Sequence, residues 1–278
     1  MNALTPILQR ARAEVARRRV VRPLAQVRAA GQERRISEAA GGTPVRSFAD
    51  ALGEPALSVI AEHKRRSPSA GTIREGIALE DVVSAYERAG AAALSVLTES
   101  DSFGGSLDDL GRARAASGLP ILRKDFIVDA YQVSEAVAAG ADAILLIVAA
   151  LPAGELAALH AEAIGLGLDV LVEVHDAAEL AVARELGAAI IGINNRDLTT
   201  LQVDIGRTME LAPEVRAGVL VVAESGFRTR VELEALAGAG VDAALIGEAL
   251  MRSPDIEAAC RELTGVGGRH PRLTGAGS

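Results

Sequence analysis

Eight short runs of apolar, mostly β-branched residues divide this 278-residue chain into units of similar length. The runs are Leu57–Ala61, Ala92–Leu97, Pro120–Leu122, Ala143–Val148, Val170–Val174, Ala189–Ile193, Val219–Ala223 and Ala243–Ile246. Because consecutive positions within each run are apolar, each run predicts a strand that is covered on both faces, as in a parallel sheet. The chain is therefore predicted to be an α/β protein.

Helical patterns alternate with these runs, and most of them end at a glycine that suits a helix C-cap. They cover Glu80–Ala89, Leu107–Ala116, Ala130–Ala139, Gly154–Gly165, Ala177–Leu186 and Arg230–Ala239. Strands that alternate with helices are expected to lie parallel and to be joined by right-handed crossovers. Eight such units favour a closed barrel over an open sheet, because closure leaves no unpaired edge. The predicted fold is a (βα)8 TIM barrel over residues 57–264.

Two segments fall outside this repeat. Residues 1–56 are predicted to form an N-terminal helical extension of two helices, the second around Ser47–Leu52. Residues 265–278 are rich in glycine and lack long apolar side chains, so they are predicted to be a disordered tail.

The charge of the chain is unevenly distributed. Residues 1–46 carry ten arginines and three glutamates, a net charge of +7, whereas the rest carries 19 basic and 34 acidic residues, a net charge of −15. An arginine-rich start could be a nucleic-acid-binding arm or an organellar presequence. Leu4, Ile7, Leu8 and Val15 fall near helical spacing, which favours a helix that docks on the acidic body. We expect no nucleic-acid partner.

Cysteine usage and hydropathy bear on the cellular compartment. The single cysteine, Cys260, cannot form an intrachain disulfide, which fits a reducing environment. No apolar stretch reaches the roughly 18 residues that span a bilayer, and the N-terminus lacks the apolar core of a secretory signal. We expect a cytoplasmic protein without a membrane partner, and a monomer is the working assumption.

Polar residues follow the apolar runs at the positions where TIM barrels carry their chemistry, the C-terminal ends of the strands. They are Glu62, Lys64, Glu99, Lys124, Glu173, Asn194, Arg196, Glu224 and Ser225. Charges at a barrel rim are costly to desolvate unless they pair or face a polar ligand. Any one of them could belong to a structural ion pair, but the set from six strands predicts an active site.

Lys64 and Lys124 are the only lysines, against 27 arginines. The pKa of a lysine ammonium can be tuned by its surroundings, whereas a guanidinium stays charged. Compositional drift from lysine to arginine could account for the scarcity. The placement of both lysines at strand ends instead indicates a need for a compact cation or a transferable proton.

Further residues indicate subsites for phosphate and for a ring. Ser225-Gly226 and Gly247-Glu248 follow the last two strands, where barrels often bind phosphate through backbone N–H groups, although either pair could be an ordinary turn. Phe103 and Phe126 are predicted to stand over the mouth, where they could hold a flat ring or pack under a loop.

The histidines are not predicted to take part in the site. His63 and His175 are interpreted as structural, because neighbouring residues in a strand face opposite sides of the sheet. Four scattered histidines and one distant cysteine suggest no metal site.

Seven ordered motifs at the strand ends resemble those of the indole-3-glycerol phosphate synthase family over about residues 45–255. They are Ile60–Ser69, Leu94–Glu99, Leu122–Ile127, Glu173–His175, Gly192–Leu198, Ala223–Gly226 and Leu245–Met251. The resemblance implies a carboxy-lyase that cyclises, decarboxylates and dehydrates 1-(2-carboxyphenylamino)-1-deoxyribulose 5-phosphate to indole-3-glycerol phosphate, a step of tryptophan biosynthesis. It also implies that no metal or organic cofactor is needed.

The resemblance further implies roles for individual residues. Lys124 would be the general acid and Glu173 a second proton-transfer group, while Glu62 and Glu224 would hold the lysines. Lys64, with Ser67, would bind the substrate carboxylate, Asn194 and Arg196 its hydroxyls, and Phe103 and Phe126 its ring. Ser225 would contact the substrate beside the phosphate, which Gly226, Gly247 and Glu248 would bind. Glu248 departs from some relatives, which have a small hydroxyl residue, so only its backbone N–H is assigned to phosphate and its carboxylate is expected to point away.

Two other functions remain compatible with the sequence. One is a class I aldolase-type barrel lyase in which Lys124 forms a Schiff base with a sugar phosphate. The other is a non-enzymatic protein whose arginine-rich arm binds nucleic acid or an acidic partner.

Overall fold

Eight parallel strands close into a barrel in the computed structural model, which describes residues 4–41 and 46–268. The strands are β1 Ala56–His63, β2 Ala93–Leu97, β3 Ile121–Lys124, β4 Ala143–Ile147, β5 Asp169–Val174, β6 Ile190–Asn194, β7 Leu220–Glu224 and β8 Ala243–Ile246. Closure comes from parallel pairing of β8 with β1, in which Ser58 lies opposite Ala243 and Ala61 opposite Ile246. The predicted (βα)8 TIM barrel is confirmed, and all eight predicted runs contribute a strand.

Helices surround the barrel and connect its strands. They are α1 Leu4–Val21, α2 Leu24–Ala40, α3 Phe48–Leu52, α4 Leu79–Arg88, α5 Ser100–Phe103, α6 Asp108–Ala116, α7 Ala130–Ala139, α8 Ala153–Gly165, α9 Ala177–Leu186, α10 Gly206–Leu211, α11 Arg230–Gly238, α12 Glu248–Arg252 and α13 Ile256–Leu263. Asp129, Asp176 and Thr229 cap the starts of three of them by accepting backbone N–H bonds. Gly140 and Gly187 end α7 and α9 in the left-handed conformation, as the glycine closures predict.

The N-terminal extension contains three helices, not the two predicted. Pro23 separates α1 from α2, because proline lacks an N–H and disfavours a helical conformation at the residue before it. The extension docks on the acidic body as expected. Its arginines pair with carboxylates of α7 and α8: Arg18 with Glu135 at 2.9 Å, Arg12 with Glu155 at 3.0 Å and Arg28 with Glu162 at 2.7 Å.

The C-terminal boundary also differs from the expected one. Val266–Gly268 pairs antiparallel with Ala56 and Leu57 at the start of β1, and Val266 is buried. The first residues of the predicted tail therefore form a short strand, because backbone groups at the start of β1 can pair with them. The rest of the predicted tail, residues 269–278, lies outside the described residues. Within the described ranges, no helix is both long and apolar enough to cross a membrane.

Candidate active site

A cavity of about 540 Å³ opens at the C-terminal ends of the barrel strands. All fourteen of the residues predicted for the site line it: Glu62, Lys64, Ser67, Phe103, Lys124, Phe126, Glu173, Asn194, Arg196, Glu224, Ser225, Gly226, Gly247 and Glu248. Leucine and isoleucine side chains from several strands fill the wall between them, among them Leu145 and Ile147. The cavity therefore combines an apolar wall with converging charges, as ligand sites commonly do.

Lys124 lies at the floor of this cavity between two carboxylates. Its Nζ is 2.7 Å from Oε2 of Glu224 and 3.2 Å from Oε2 of Glu173. Burial disfavours the ammonium, but the attraction of Glu224 and Glu173 outweighs burial and raises the pKa of Lys124. Lys124 is therefore protonated, as an ammonium, at neutral pH.

The two carboxylates around Lys124 differ in their surroundings. Burial raises the pKa of Glu224 to about 7, with Lys124 opposing that shift and Glu173 reinforcing it. Burial also acts on Glu173, but Lys124, His175 and Asn194 outweigh it and lower the pKa of Glu173. Asn194 donates from Nδ2 to Oε1 of Glu173 at 3.1 Å. One floor carboxylate thus stays ionised, while the other can exchange a proton near neutral pH.

Lys64 forms a second ion pair nearer the mouth. Its Nζ is 2.7 Å from Oε1 of Glu62, as expected for residues two apart on one face. Gly247 leaves room for this carboxylate, because a Cβ at that position would collide with Glu62 Oε1. The pair therefore depends on the glycine that directly follows β8 as well as on the end of β1.

The two phenylalanines lie together at the rim. Their ring centroids are 6.4 Å apart, with planes tilted by 39°. Glu99 accepts hydrogen bonds from the N–H groups of Ser102 and Phe103, and Asp125 accepts one from the N–H of Phe126. Buried or half-buried carboxylates thus fix the backbone of both loops, and the paired rings offer a flat apolar surface.

The Ser225-Gly226 turn has the backbone conformation of a tight loop. Both residues have positive φ, +66° at Ser225 and +102° at Gly226, and Asn195 donates from Nδ2 to the carbonyl of Ser225 at 3.0 Å. A Cβ on Gly226 would lie 2.7 Å from Val203 and 2.9 Å from Ile205. At the neighbouring turn, the carboxylate of Glu248 pairs with Arg252 at 3.0 Å, which keeps it on its own helix, as expected.

Sequence reasoning missed several contributors to the site. Leu4 and Ile7 of α1 line the cavity. The helical spacing of these apolar residues indicated a docked helix but did not assign it to the site. Gly192 gives Glu224 its space, since a Cβ there would collide with Glu224 Oε1, but nothing in the sequence distinguishes it from other strand glycines.

His175 does not line the cavity, but it contacts a carboxylate that does. Nε2 of His175 lies 3.3 Å from Oε1 of Glu173. Residues 173 and 175 are two apart, so alternation along β5 puts them on the same side, and the argument that strand neighbours face opposite sides does not separate His175 from Glu173. His63 remains within β1 and is buried, as expected of a structural residue.

The described residues contain no group of three or more histidine, cysteine, aspartate or glutamate side chains arranged to hold a metal ion. The polar groups that line the cavity include two lysines, three buried carboxylates and the amide of Asn194.

Comparison with known proteins places this chain among close relatives. A family model described as indole-3-glycerol phosphate synthase matches residues 4–263. Indole-3-glycerol phosphate synthase 2 of Streptomyces coelicolor is 46% identical over 94% of this chain and 98% of its own length. The indole-3-glycerol phosphate synthase of Aromatoleum aromaticum is 47% identical over 95% of this chain and 99% of its own length.

Solved structures with low sequence identity share the fold. Thiamine phosphate pyrophosphorylase from Pyrococcus furiosus has a TM-score of 0.58 at 18% identity, covering 79% of this chain and 97% of its own. 3-Hexulose-6-phosphate synthase from Salmonella typhimurium has a TM-score of 0.59 at 13% identity, covering 76% of this chain and 98% of its own. These likenesses concern the barrel alone.

Proposed function

Because this chain belongs to the indole-3-glycerol phosphate synthase family, we propose that Lys124 is the general acid of the family's reaction. That reaction is the carboxy-lyase step of tryptophan biosynthesis, which converts a phosphorylated anilino-deoxyribulose carrying a ring carboxylate to indole-3-glycerol phosphate. The observation that carries the proposal is the position of the Lys124 ammonium, 2.7 Å from Glu224 and 3.2 Å from Glu173 at the cavity floor.

Ring closure requires the substrate ketone to become electrophilic, which protonation of its oxygen achieves. Lys124 donates that proton, the ring carbon that bears the carboxylate attacks, and CO2 and then water leave. The amine left on Lys124 lies beside Glu224, whose pKa of about 7 lets it return a proton. Glu173, ionised at the start, takes up and returns a proton as the second proton-transfer group, in ring closure or in the loss of water.

The remaining substrate groups are assigned by charge and shape. Lys64, held by Glu62, binds the ring carboxylate with help from Ser67, and Phe103 and Phe126 flank the ring. Asn194 and Arg196 bind the hydroxyls. The phosphate is bound by the backbone N–H groups of the Ser225-Gly226 and Gly247-Glu248 turns, which line the same cavity.

The aldolase-type alternative fits this geometry less well. A Schiff base requires a neutral amine as the nucleophile, whereas the carboxylates around Lys124 raise its pKa and keep it protonated. Borohydride treatment in the presence of substrate separates the two mechanisms. Covalent trapping at Lys124 would establish the Schiff base and reject the acid role.

The decisive test follows indole fluorescence from the carboxyphenylamino deoxyribulose phosphate with wild type, Lys124→Arg and Lys124→Ala. Arginine keeps the charge but cannot readily donate a proton, so both variants should lose at least about 100-fold in kcat, the scale of general acid catalysis. Activity near that of wild type in Lys124→Arg would exclude the proposed role.

The cellular setting stays a prediction. We infer a cytoplasmic location from the single buried cysteine, Cys260, and retain the monomer as the expected state. Fractionation of cells and analytical ultracentrifugation would test these two points.

A further inference from the structure

His175 lies between two carboxylates at the outer edge of the cavity floor. Its Nδ1 is 3.0 Å from Oε2 of Glu179, on the first turn of α9, and its Nε2 is 3.3 Å from Oε1 of Glu173. The backbone N–H of His175 also donates to Glu179 at 2.8 Å, which fixes the residue where the strand leads into the helix. A ring whose two nitrogens both face carboxylates is best satisfied when both nitrogens carry a proton.

The other described histidines lack such partners. Burial lowers the pKa of His63 to about 4, with Arg65 reinforcing that shift, and burial alone lowers the pKa of His160. At His175 burial also opposes the charge, but Glu173 and Glu179 outweigh it and raise the pKa to about 10. All three histidines are at least partly buried, so the opposite directions of their pKa shifts arise from their charged neighbours.

Three polar side chains therefore surround the Glu173 carboxylate, two of them as hydrogen-bond donors. Lys124 reaches Oε2 from β3, and Asn194 reaches Oε1 from β6. Nε2 of His175, at the end of β5, lies 3.3 Å from Oε1, within ion-pair distance but without the geometry of a hydrogen bond. Of these three, His175 is the one that does not line the cavity, so bound substrate would leave it in place.

This difference matters during turnover. When Lys124 gives its proton to the substrate, Glu173 loses the positive charge that faces it from β3. Glu224 also lies at the floor and carries negative charge when ionised, which disfavours the ionised form of Glu173. A second cation would then be needed to keep Glu173 from taking up a proton prematurely.

We propose that His175, as an imidazolium fixed by Glu179, is a positioning residue that holds Glu173 ionised and oriented while Lys124 acts on the substrate. The proposal rests on the proposed role of Glu173. Its charge state can nevertheless be tested without any catalytic assay.

The first test is the 15N NMR spectrum of the histidine rings in the full-length wild-type protein, with signals assigned from His175→Gln and His160→Gln. At pH 8, the two ring nitrogens of His175 should both have imidazolium shifts, while those of His160 should indicate a neutral ring. A neutral His175 at pH 8 would overturn the proposal whatever the activity of the variants.

The second test compares kinetics of His175→Gln with Glu179→Gln and with the matched control His160→Gln. Loss of the adjacent cation should raise the pKa of Glu173 and leave its carboxylate less well oriented, giving a loss in kcat on the order of tenfold. KM should change by less than about twofold, because His175 does not line the cavity. Glu179→Gln should show a smaller loss and His160→Gln none.

The acid limb of kcat should also shift upward in His175→Gln, an effect that simple loosening of the fold would not produce. Wild-type kcat and an unchanged pH profile in a folded His175→Gln protein would refute the proposal. If that variant fails to fold, the wild-type NMR spectrum still decides the question. Inactivity of Lys124→Arg together with a normal His175→Gln would reject this inference and leave the proposed function intact.

Discussion

The two faces of β3 carry two cation–carboxylate networks that differ in how completely they are satisfied. Lys124 faces the cavity, where it meets Glu173 and Glu224. Its neighbour Arg123 faces the surrounding helices, where it meets Asp125 at 2.8 Å and Glu135 at 3.6 Å. Consecutive residues of one strand thus place similar charges in two different environments.

The outer network is closed. Arg123 also donates to the carbonyl of Gln132 at 2.7 Å, and Asp125 accepts a further hydrogen bond from Thr98 at 2.6 Å. Glu135 pairs in turn with Arg18 of the N-terminal extension. Only 1% of the Arg123 side chain is exposed, so its contacts are closed to solvent, whereas Arg18 at the outer end of the network is 31% exposed.

The inner network is open by comparison. Oε1 of Glu224 is buried and has no hydrogen-bond partner among the described residues, and Lys124 has a cavity above it. Complete hydrogen bonding favours stability, whereas shifted pKa values and unfilled acceptors suit a group to act on a ligand. The two networks contain the same types of residue. The cavity beside Lys124 therefore distinguishes the network suited to act on a ligand from the network that favours stability.

Among the variants that test this comparison, Arg123→Met should cause the largest loss of stability. Removing the central cation of a buried ionic network typically costs about 3–5 kcal/mol of unfolding free energy, because Asp125 loses its charged partner and Glu135 keeps only Arg18. Lys124→Met should cost clearly less, because Glu224 can take up a proton and the cavity admits water. Urea denaturation at pH 7 measures both, and equal losses would show that the two networks do not differ as described.

A smaller effect concerns the pH dependence of stability. The pKa of Glu224 rises from 4.5 to about 7 on folding, so its contribution to stability is present below pH 4.5 and is lost as the pH rises through about 7. The pKa of Glu173 is lowered, so its contribution is present above pH 4.5 and is lost as the pH falls below that value.

Urea titrations of wild type, Glu224→Gln and Glu173→Gln between pH 4 and pH 8 would measure these slopes. Relative to wild type, Glu224→Gln should gain stability as the pH rises, and Glu173→Gln should lose it. Because the two groups interact, each slope belongs to the cluster that includes Lys124. Slopes of the same sign would contradict the assignment of the two carboxylates.

Lys64→Arg should sharpen the distinction between the two lysines. A guanidinium keeps the positive charge beside Glu62 but changes its shape, so KM should rise about fivefold, equivalent to about 1 kcal/mol of a charged hydrogen bond, with kcat changed less. Steady-state kinetics by indole fluorescence provide the measurement. A larger loss in kcat than in binding would assign Lys64 to the chemical step.

The smallest effect is expected at the surface of the extension. Arg12 pairs with Glu155 at 3.0 Å, but both side chains are half exposed, so Arg12→Gln should cost no more than about 1 kcal/mol. Arg18→Gln should cost more, because Glu135 is buried against Arg123. Thermal unfolding in low and high salt measures the loss of stability in both variants. Equal losses would show that the Arg18–Glu135 pair does not couple the extension to β3.

Much of the fold could be read from local patterns. The apolar runs and glycine closures predicted the strands and their order, because burial on both faces constrains every residue of a strand. Pro23 and Val266 show the limit of this reading. A break between two helices and a short pairing at the start of β1 depend on which partners the rest of the chain supplies.

The sequence alone predicted the barrel, the fourteen residues of the site and the importance of Lys64 and Lys124 as the two lysines of the chain. These features follow from strand ends and residue chemistry, which are local properties. Only the tertiary structure decided which charges meet. Glu224 and Lys124 are a hundred residues apart along the chain, Gly192 makes the space that Glu224 fills, and Asn194 of β6 reaches Glu173 of β5. Pairing, cavity and protonation depend on distances between strands, and those distances exist only once the barrel has closed.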